Sequence, residues 1–213
     1  MIKVCLADDH NLLRAGLKKI INSAPGIEVV GETDNALKVV EEARASKCDI
    51  LVLDLSMPGR SGIDVLKDVK AALPNVKTLI LSMHPEEQFA KRTIKIGASG
   101  YLTKSAAPED IIKAINKIAD GGKYISSTLA ELLISDFDND VDKPKHEKLS
   151  EREFQVLCFI AEGKTQVEIA EYLSLSPTTV NTYRSRVLEK LDLKSNAELI
   201  KYAFNNNLIQ KSP

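Results

Sequence analysis

Five side chains hold the chemistry that this sequence offers. Asp8 and Asp9 follow the aliphatic run IKVCLA (2–7), Asp54 ends DILVLD (49–54), Ser82 ends VKTLILS (76–82), and Lys104 follows SGYLT (99–103). Each stands where a short apolar run stops, and after Asp54 the chain breaks at Met57-Pro58-Gly59. Runs such as LVL (51–53) carry no polar alternation, which is the pattern of strands buried on both faces of a parallel sheet. If those strands lie side by side, their carboxyl ends share one edge, where open α/β folds put their ligands. Three carboxylates brought together there repel by about 4 kcal/mol per close pair at an effective dielectric near 20. A cation is therefore required, and Mg2+ suits ligation by carboxylates and water, with Lys104 as a second, fixed positive charge. A carboxylate, a magnesium ion, a lysine and a hydroxyl together can accept a phosphoryl group. Asp54 is the expected nucleophile, the cations neutralise the transferred oxygens, and Ser82 donates a hydrogen bond to one of them. Taken singly, each residue has an ordinary explanation as a helix cap, a surface lysine or a turn serine; the set at matching strand ends does not.

The elements that must position this set are legible in the hydrophobic period. Strands are expected at 2–7, 27–32, 49–54, 76–82 and 99–103, with helices between them at 11–23, 34–46, 62–72 and 86–96. A fifth helix, PEDIIKAINKIADGG (108–122), has Pro at its start and Gly just past its end. Five β-α units joined by right-handed crossovers predict an α/β doubly wound parallel five-stranded sheet of flavodoxin-like order 2-1-3-4-5.

After SDFDNDVDKPKHEK (135–148), an acidic, polar, proline-containing stretch of linker composition, the period is 3.6 throughout. Ser150-x-x-Glu153, Thr165-x-x-Glu168 and Ser195-x-x-Glu198 read as capping boxes, Gly163 ends the first of these helices, and Ser176-Pro177 opens another. The result is a small all-α domain of four helices, with the short step Ser174-Leu175-Ser176 suited to a helix-turn-helix. The expected divisions are 1–122, a linker over 123–147, and 148–213. These segments carry net charges of +1, −3 and +1, so neither flank is basic enough to argue for nucleic acid by charge alone.

In SPTTVNTYRSRVLEKL (176–191), Val180, Tyr183, Val187 and Leu191 form the expected buried stripe. Opposite them project Thr178, Asn181, Thr182, Ser185, Arg186 and Glu189, flanked by Arg184 and Lys190. Amide, hydroxyl and guanidinium groups bond to phosphates and base edges, and the free N–H groups at the helix start suit a phosphate. A solvated helix face would explain the polarity alone, but not the short turn and the scaffold helix before it.

Bulk composition excludes other classes. With 44% hydrophobic and 28% charged residues among 213, the chain has an ordinary globular balance, and no apolar run approaches the roughly 18 residues of a membrane span. MIKVCLADDH lacks the basic and then apolar pattern of a signal peptide, so the expected location is cytoplasmic. Cys5, Cys48 and Cys158 are odd in number and scattered, which fits buried thiols in a reducing compartment rather than disulfides.

The motifs ADDH, LDLSMPG, LILS and GYLTK, over residues 1–122, resemble the receiver domain of two-component response regulators. That resemblance implies that Asp54 is the phosphoacceptor, that Asp8, Asp9 and Asp54 hold Mg2+, that Lys104 contacts the phosphate, and that Ser82 and Tyr101 are the switch pair. Ser82 stands where many members carry threonine, and His84 lies two positions on. The stretch 149–191 resembles the LuxR-type helix-turn-helix of the NarL/FixJ branch. By that resemblance the third helix enters the major groove, with Thr179 and Lys190 on phosphates and Asn181, Thr182 and Ser185 on bases, and the fourth helix is a dimer contact. Tyr183 stands where histidine is frequent and Asn196 where arginine is frequent.

Together these readings predict a transcriptional regulator switched by phosphorylation at Asp54. Its expected partners are a histidine kinase as donor, double-stranded promoter DNA, and a second copy of itself when phosphorylated. A regulator acting through protein contacts without phosphate is one alternative. A magnesium-dependent hydrolase is another, but such enzymes place a second acid two residues beyond the nucleophile, and position 56 is Ser.

Overall fold

The computed structural model describes residues 1–58, 60–83, 86–126, 129–130, 144–173, 175–206 and 208. The chain forms two units, Met1–Ile134 and Ser135–Pro213. Most of the acidic stretch at 135–148, and His84, lie outside the described residues.

In the first unit β1 (Ile2–Ala7), β2 (Ile27–Thr33), β3 (Ile50–Leu53), β4 (Lys77–Ser82) and β5 (Gly100–Thr103) form one parallel sheet of order β2-β1-β3-β4-β5. The central strand β3 is buried at every position, as its unbroken aliphatic sequence requires, whereas edge strand β2 is partly open. The helices are α1 (Asn11–Ser23), α2 (Val39–Ala45), α3 (Gly62–Ala72), α4 (Glu86–Ile96) and α5 (Pro108–Ala119). Because side chains alternate along a strand, Val4, Ile50, Val52 and Leu79 join Leu17 and Ile21 of α1 and Ile111, Ile115 and Ile118 of α5 in one core. Cys5, Leu51, Leu53 and Ile80 are buried on the opposite face.

The start of one helix differs from expectation, and the end of another is as expected. Helix α2 begins at Val39 rather than near residue 34. Thr33 Oγ1 accepts from Asn35 N–H and Asn35 Oδ1 from Leu37 N–H, a local turn that competes with helical bonding. Helix α5 stops at Ala119, and Gly121, at φ +91°, turns the chain away. Its last carbonyls, Ile118 and Ala119, accept from Lys77 Nζ at 2.9 and 3.1 Å, so a residue of β4 caps it. Tyr124 then bridges to Gly100 beside β5.

The second unit holds a 3-10 turn (Lys145–Lys148), then α6 (Glu151–Ala161), α7 (Gln166–Leu173), α8 (Pro177–Leu191) and α9 (Asn196–Asn205). Ser150 and Glu153 form a reciprocal capping box, as do Thr165 and Glu168. At the start of α9 only half of the box forms: Ser195 Oγ accepts from Glu198 N–H, but the Glu198 carboxylate accepts from Lys194 N–H. Helix α8 ends on Asp192 in the left-handed region at φ +59°. All three cysteines are buried and unpaired by disulfide.

Candidate functional site

Parallel strand order brings the carboxyl ends of β1, β3, β4 and β5 to one edge of the sheet. Asp54 N–H donates to Ala7 O at 2.9 Å, so the ladder continues past β3 and carries the carboxylate to the end of β1. Lys104 N–H donates to Ser82 O at 2.7 Å and does the same between β5 and β4. The loop after Asp54 is held by a close approach. Gly62 N–H donates to Leu55 O, and a Cβ on Gly62 would lie 2.4 Å from Leu55 Cα and 2.7 Å from Asp54 O. Only glycine fits there.

Lys104 Nζ lies 2.8 Å from Asp54 Oδ2 and 2.8 Å from Asp8 Oδ2, with all three side chains at most 4% exposed. Asp54 Oδ1 accepts from Ser56 N–H at 3.0 Å. Burial pushes the Asp54 carboxyl above the ordinary carboxylate range, and Lys104 offsets that only in part. For Lys104 burial acts to lower the ammonium, but Asp54 and Asp8 outweigh it and hold the lysine charged. Ser82 and Tyr101 are both buried, Ser82 at the end of β4 and Tyr101 on β5 paired with Ile80.

Asp9 is a quarter exposed and faces His10, whose Nδ1 lies 3.1 Å from Asp9 Oδ1 and 3.2 Å from Asp8 Oδ1. One ligand atom each from Asp8, Asp9, His10 and Asp54 falls within 4.8 Å of the others. A six-coordinate ion with bonds of about 2.1 Å spans about 4.2 Å between opposite ligands, so the cluster is slightly wider than one such shell and a single divalent cation would draw its carboxylates inward. The donors are mostly carboxylate oxygen, the class that hard cations take. His10 was no candidate on sequence grounds. The signal available was its place as the third consecutive ligand-capable residue after β1.

In the second unit Thr178, Asn181, Thr182, Ser185, Arg186 and Lys190 are exposed on α8, while Thr179 and Arg184 are half-buried. The buried stripe is Val180, Val187 and Leu191. Tyr183, expected in it, is only half-buried because it lies off the line through those three, beside Arg184. Several polar members are already engaged within the unit. Arg184 Nε donates to Asn196 Oδ1 at 2.6 Å, linking α8 to α9. Lys190 Nζ donates to Glu153 Oε2 at 2.7 Å, and Glu153 is buried. Burial would raise the Glu153 carboxyl, but Lys190 and the Ser150 cap hold it below the ordinary range. Thr179 Oγ1 meets Ser176 Oγ, and Thr182 Oγ1 donates to Thr178 O.

Comparison with known proteins places both units. Residues 4–116 match the response regulator receiver domain family, and residues 147–203 match the LuxR family of bacterial regulatory proteins. The response regulator UvrY of Escherichia coli O157:H7 is 37% identical over 209 residues, 98% of this chain and 96% of that protein. The response regulator GacA of Pseudomonas aeruginosa is 35% identical over 210 residues, 98% of each chain. Among solved structures, RcsB from Salmonella enterica serovar Typhimurium, bound to promoter rprA in the presence of the phosphomimetic BeF3−, is 26% identical with a TM-score of 0.62. The match covers 94% of this chain and 97% of that one. The chain belongs to the NarL/FixJ family of two-component response regulators, which join a receiver domain to a LuxR-type helix-turn-helix and control transcription.

Proposed function

We propose that Asp54 accepts a phosphoryl group and that this modification switches DNA binding by α8. The observation that carries the reading is Lys104, whose buried ammonium lies 2.8 Å from both Asp54 and Asp8. In the transfer an Asp54 oxygen forms the new O–P bond while the N–P bond of a kinase phosphohistidine breaks, and the leaving imidazole takes up a proton from water. A small acyl phosphate serves equally as donor. Asp8, Asp9 and Asp54 would hold Mg2+, which neutralises charge on the transferred oxygens. Lys104 then exchanges part of its contact with the carboxylates for the phosphoryl group.

The phosphoryl group adds roughly −1.5 to −2 charges and strong acceptors. Ser82 turns to donate to it, a charge-assisted bond of about 1.5–3 kcal/mol, and Tyr101 follows. With the Lys104 pair this approaches the roughly 5.5 kcal/mol that moves a population from mostly off to mostly on. Asp54 thus acts as a stoichiometric acceptor rather than as the nucleophile of a turnover enzyme.

The receiver comprises residues 1–122, the linker 123–147 and the DNA-binding domain 148–213, and the protein works in the cytoplasm. Two copies associate when phosphorylated, since one unit with few cations binds DNA weakly and two match a palindromic site. Thr179 and Lys190 contact phosphates, Asn181, Thr182 and Ser185 read bases, and Thr178, Arg184 and Arg186 complete the DNA-binding set. DNA binding, as the RcsB complex displays for that protein, is tested by selecting duplexes from a random pool with the phosphorylated chain. Affinity for the enriched duplex is then measured with and without acetyl phosphate. The reading expects tighter, salt-dependent binding after phosphorylation of wild type and no change for Asp54→Ala. Equal affinity in both states of wild type contradicts it.

A further inference from the structure

We propose that Arg14 is a positioning residue for phosphoryl transfer: its guanidinium fixes the backbone of the Asp8–Asp9 loop and so the carboxylates that project from it. This rests on the reading of Asp8, Asp9 and Asp54 as the Mg2+ ligands of the transfer. Asp8 is buried and follows Ala7, the last residue of β1 to pair with Thr33 and Leu53. Its N–H still donates to Thr33 O at 3.1 Å, so the chain leaves the sheet at the Asp8 carbonyl. A carbonyl in such a place needs a partner, and Arg14 Nη1 donates to it at 2.6 Å. The same guanidinium donates through Nη2 to Asn11 Oδ1 at 2.9 Å, and its Nε lies 3.8 Å from Glu32 Oε2 on β2. The Arg14 side chain is only 15% exposed. Helix α1 has no side-chain cap at its start; instead a residue of its first turn folds back and ties the loop.

Charge and geometry predict opposite signs for the loss of this group. As a charge alone, a guanidinium beside a divalent-ion site repels the ion, and removing it would tighten Mg2+ binding. As an anchor, it keeps the Asp8 and Asp9 oxygens where a small ion with strict octahedral demands can use them, and removing it weakens binding. Loss of a group that supports metal ligands from behind costs about 10–100-fold in affinity or activity. A planar fork makes the three contacts at once, whereas an ammonium on a flexible stem keeps the charge without the geometry.

Calorimetric titration of the full chain with Mg2+ decides between the two, for wild type, Arg14→Met, Arg14→Lys and Glu32→Gln. Amide hydrogen exchange in chelator adds a readout that needs no metal. Mg2+ affinity is expected to fall about tenfold in Arg14→Met, and to fall in Arg14→Lys although the charge is kept. Exchange should quicken over residues 8–12 in both variants and stay unchanged in β3 to β5. Phosphorylation by acetyl phosphate should slow at low Mg2+ and recover as Mg2+ saturates. Glu32→Gln, which loses only a long ion pair to an exposed carboxylate, should change affinity less than about twofold. Arg14→Lys keeps the charge and the stem, so it decides the matter even where Arg14→Met fails to fold. Affinity that is unchanged or raised in Arg14→Lys, or unchanged exchange over 8–12, overturns the positioning role and leaves the carboxylate site intact. An equal loss in Glu32→Gln does the same, because it traces the effect to the ion pair rather than to the Asp8 carbonyl. Absence of Mg2+ binding in wild type overturns the cation site and this role with it.

Discussion

The acidic edge of the sheet and the polar face of α8 use polar residues in opposite ways. At the sheet edge Asp8, Asp54 and Lys104 are taken almost wholly out of water, and each is held by an opposite charge at 2.8 Å. On α8 the residues that would meet DNA are mostly exposed, and those with firm partners, Arg184 and Lys190, are tied to Asn196 and Glu153 of their own unit. Buried charges interact strongly and are costly to leave unpaired, whereas exposed ones are screened and easily rehydrated. One region is therefore built before its ligand arrives, while the other obtains its energy only when phosphates and bases replace water.

Lys104→Ala should test that contrast most severely. It leaves two buried carboxylates without their cation, and thermal denaturation in chelator should show a loss of about 3–5 kcal/mol. Millimolar Mg2+ should restore part of it. A loss no larger than that of an exposed pair would erase the distinction. Gly62→Ala comes next. The new Cβ meets the backbone at Leu55 and Asp54, which cannot yield as a side-chain tip would. About 2–3 kcal/mol should be lost, with slower phosphorylation by acetyl phosphate.

Among the described residues Glu153 is the one buried charge tied to α8, so it sharpens the comparison from the other side. Its carboxyl is held low in the folded state by Lys190 and Ser150. The resulting stability is present above the ordinary glutamate value of 4.5 and is lost as pH falls through the depressed folded value. A melt of the full chain followed by a probe in α6 to α9 should therefore weaken below that pH in wild type and less so in Glu153→Gln. At neutral pH the variant should lose about 2 kcal/mol. Arg186→Ala is expected to have the smallest effect on the fold, within about 0.5 kcal/mol. In a salt titration of DNA binding it should lower the slope by about one, with a nearly uniform loss across sequences.

Much of the acidic edge was legible because topology alone creates it: apolar runs ending in Asp54, Ser82 and Lys104 must converge once the strands are parallel. The capping pairs at Ser150 and Thr165 were legible because the spacing of the box is its mechanism. Other features depend on tertiary neighbours. The capping of α5 by Lys77 and the close approach at Gly62 each involve groups that no local pattern marks, whereas the turn at Asn35 that delays α2 is local, and Thr33 and Asn35 were its signal. At Ser195 the pattern was present but the Glu198 carboxylate found Lys194 N–H instead, and Asp192 ends α8 in the left-handed region that glycine usually supplies and that aspartate enters more readily than most other residues. The contacts that restrain Arg184 and Lys190 cross between helices, so periodicity could place those residues on a face without saying whom they touch.

Intact mass after incubation with acetyl phosphate tests the central claim most directly, with and without Mg2+, for wild type and Asp54→Ala. The account predicts one phosphoryl adduct on wild type only, dependent on Mg2+ and released by hydroxylamine as an acyl phosphate is. An equal adduct on Asp54→Ala, or one that resists hydroxylamine, would contradict it.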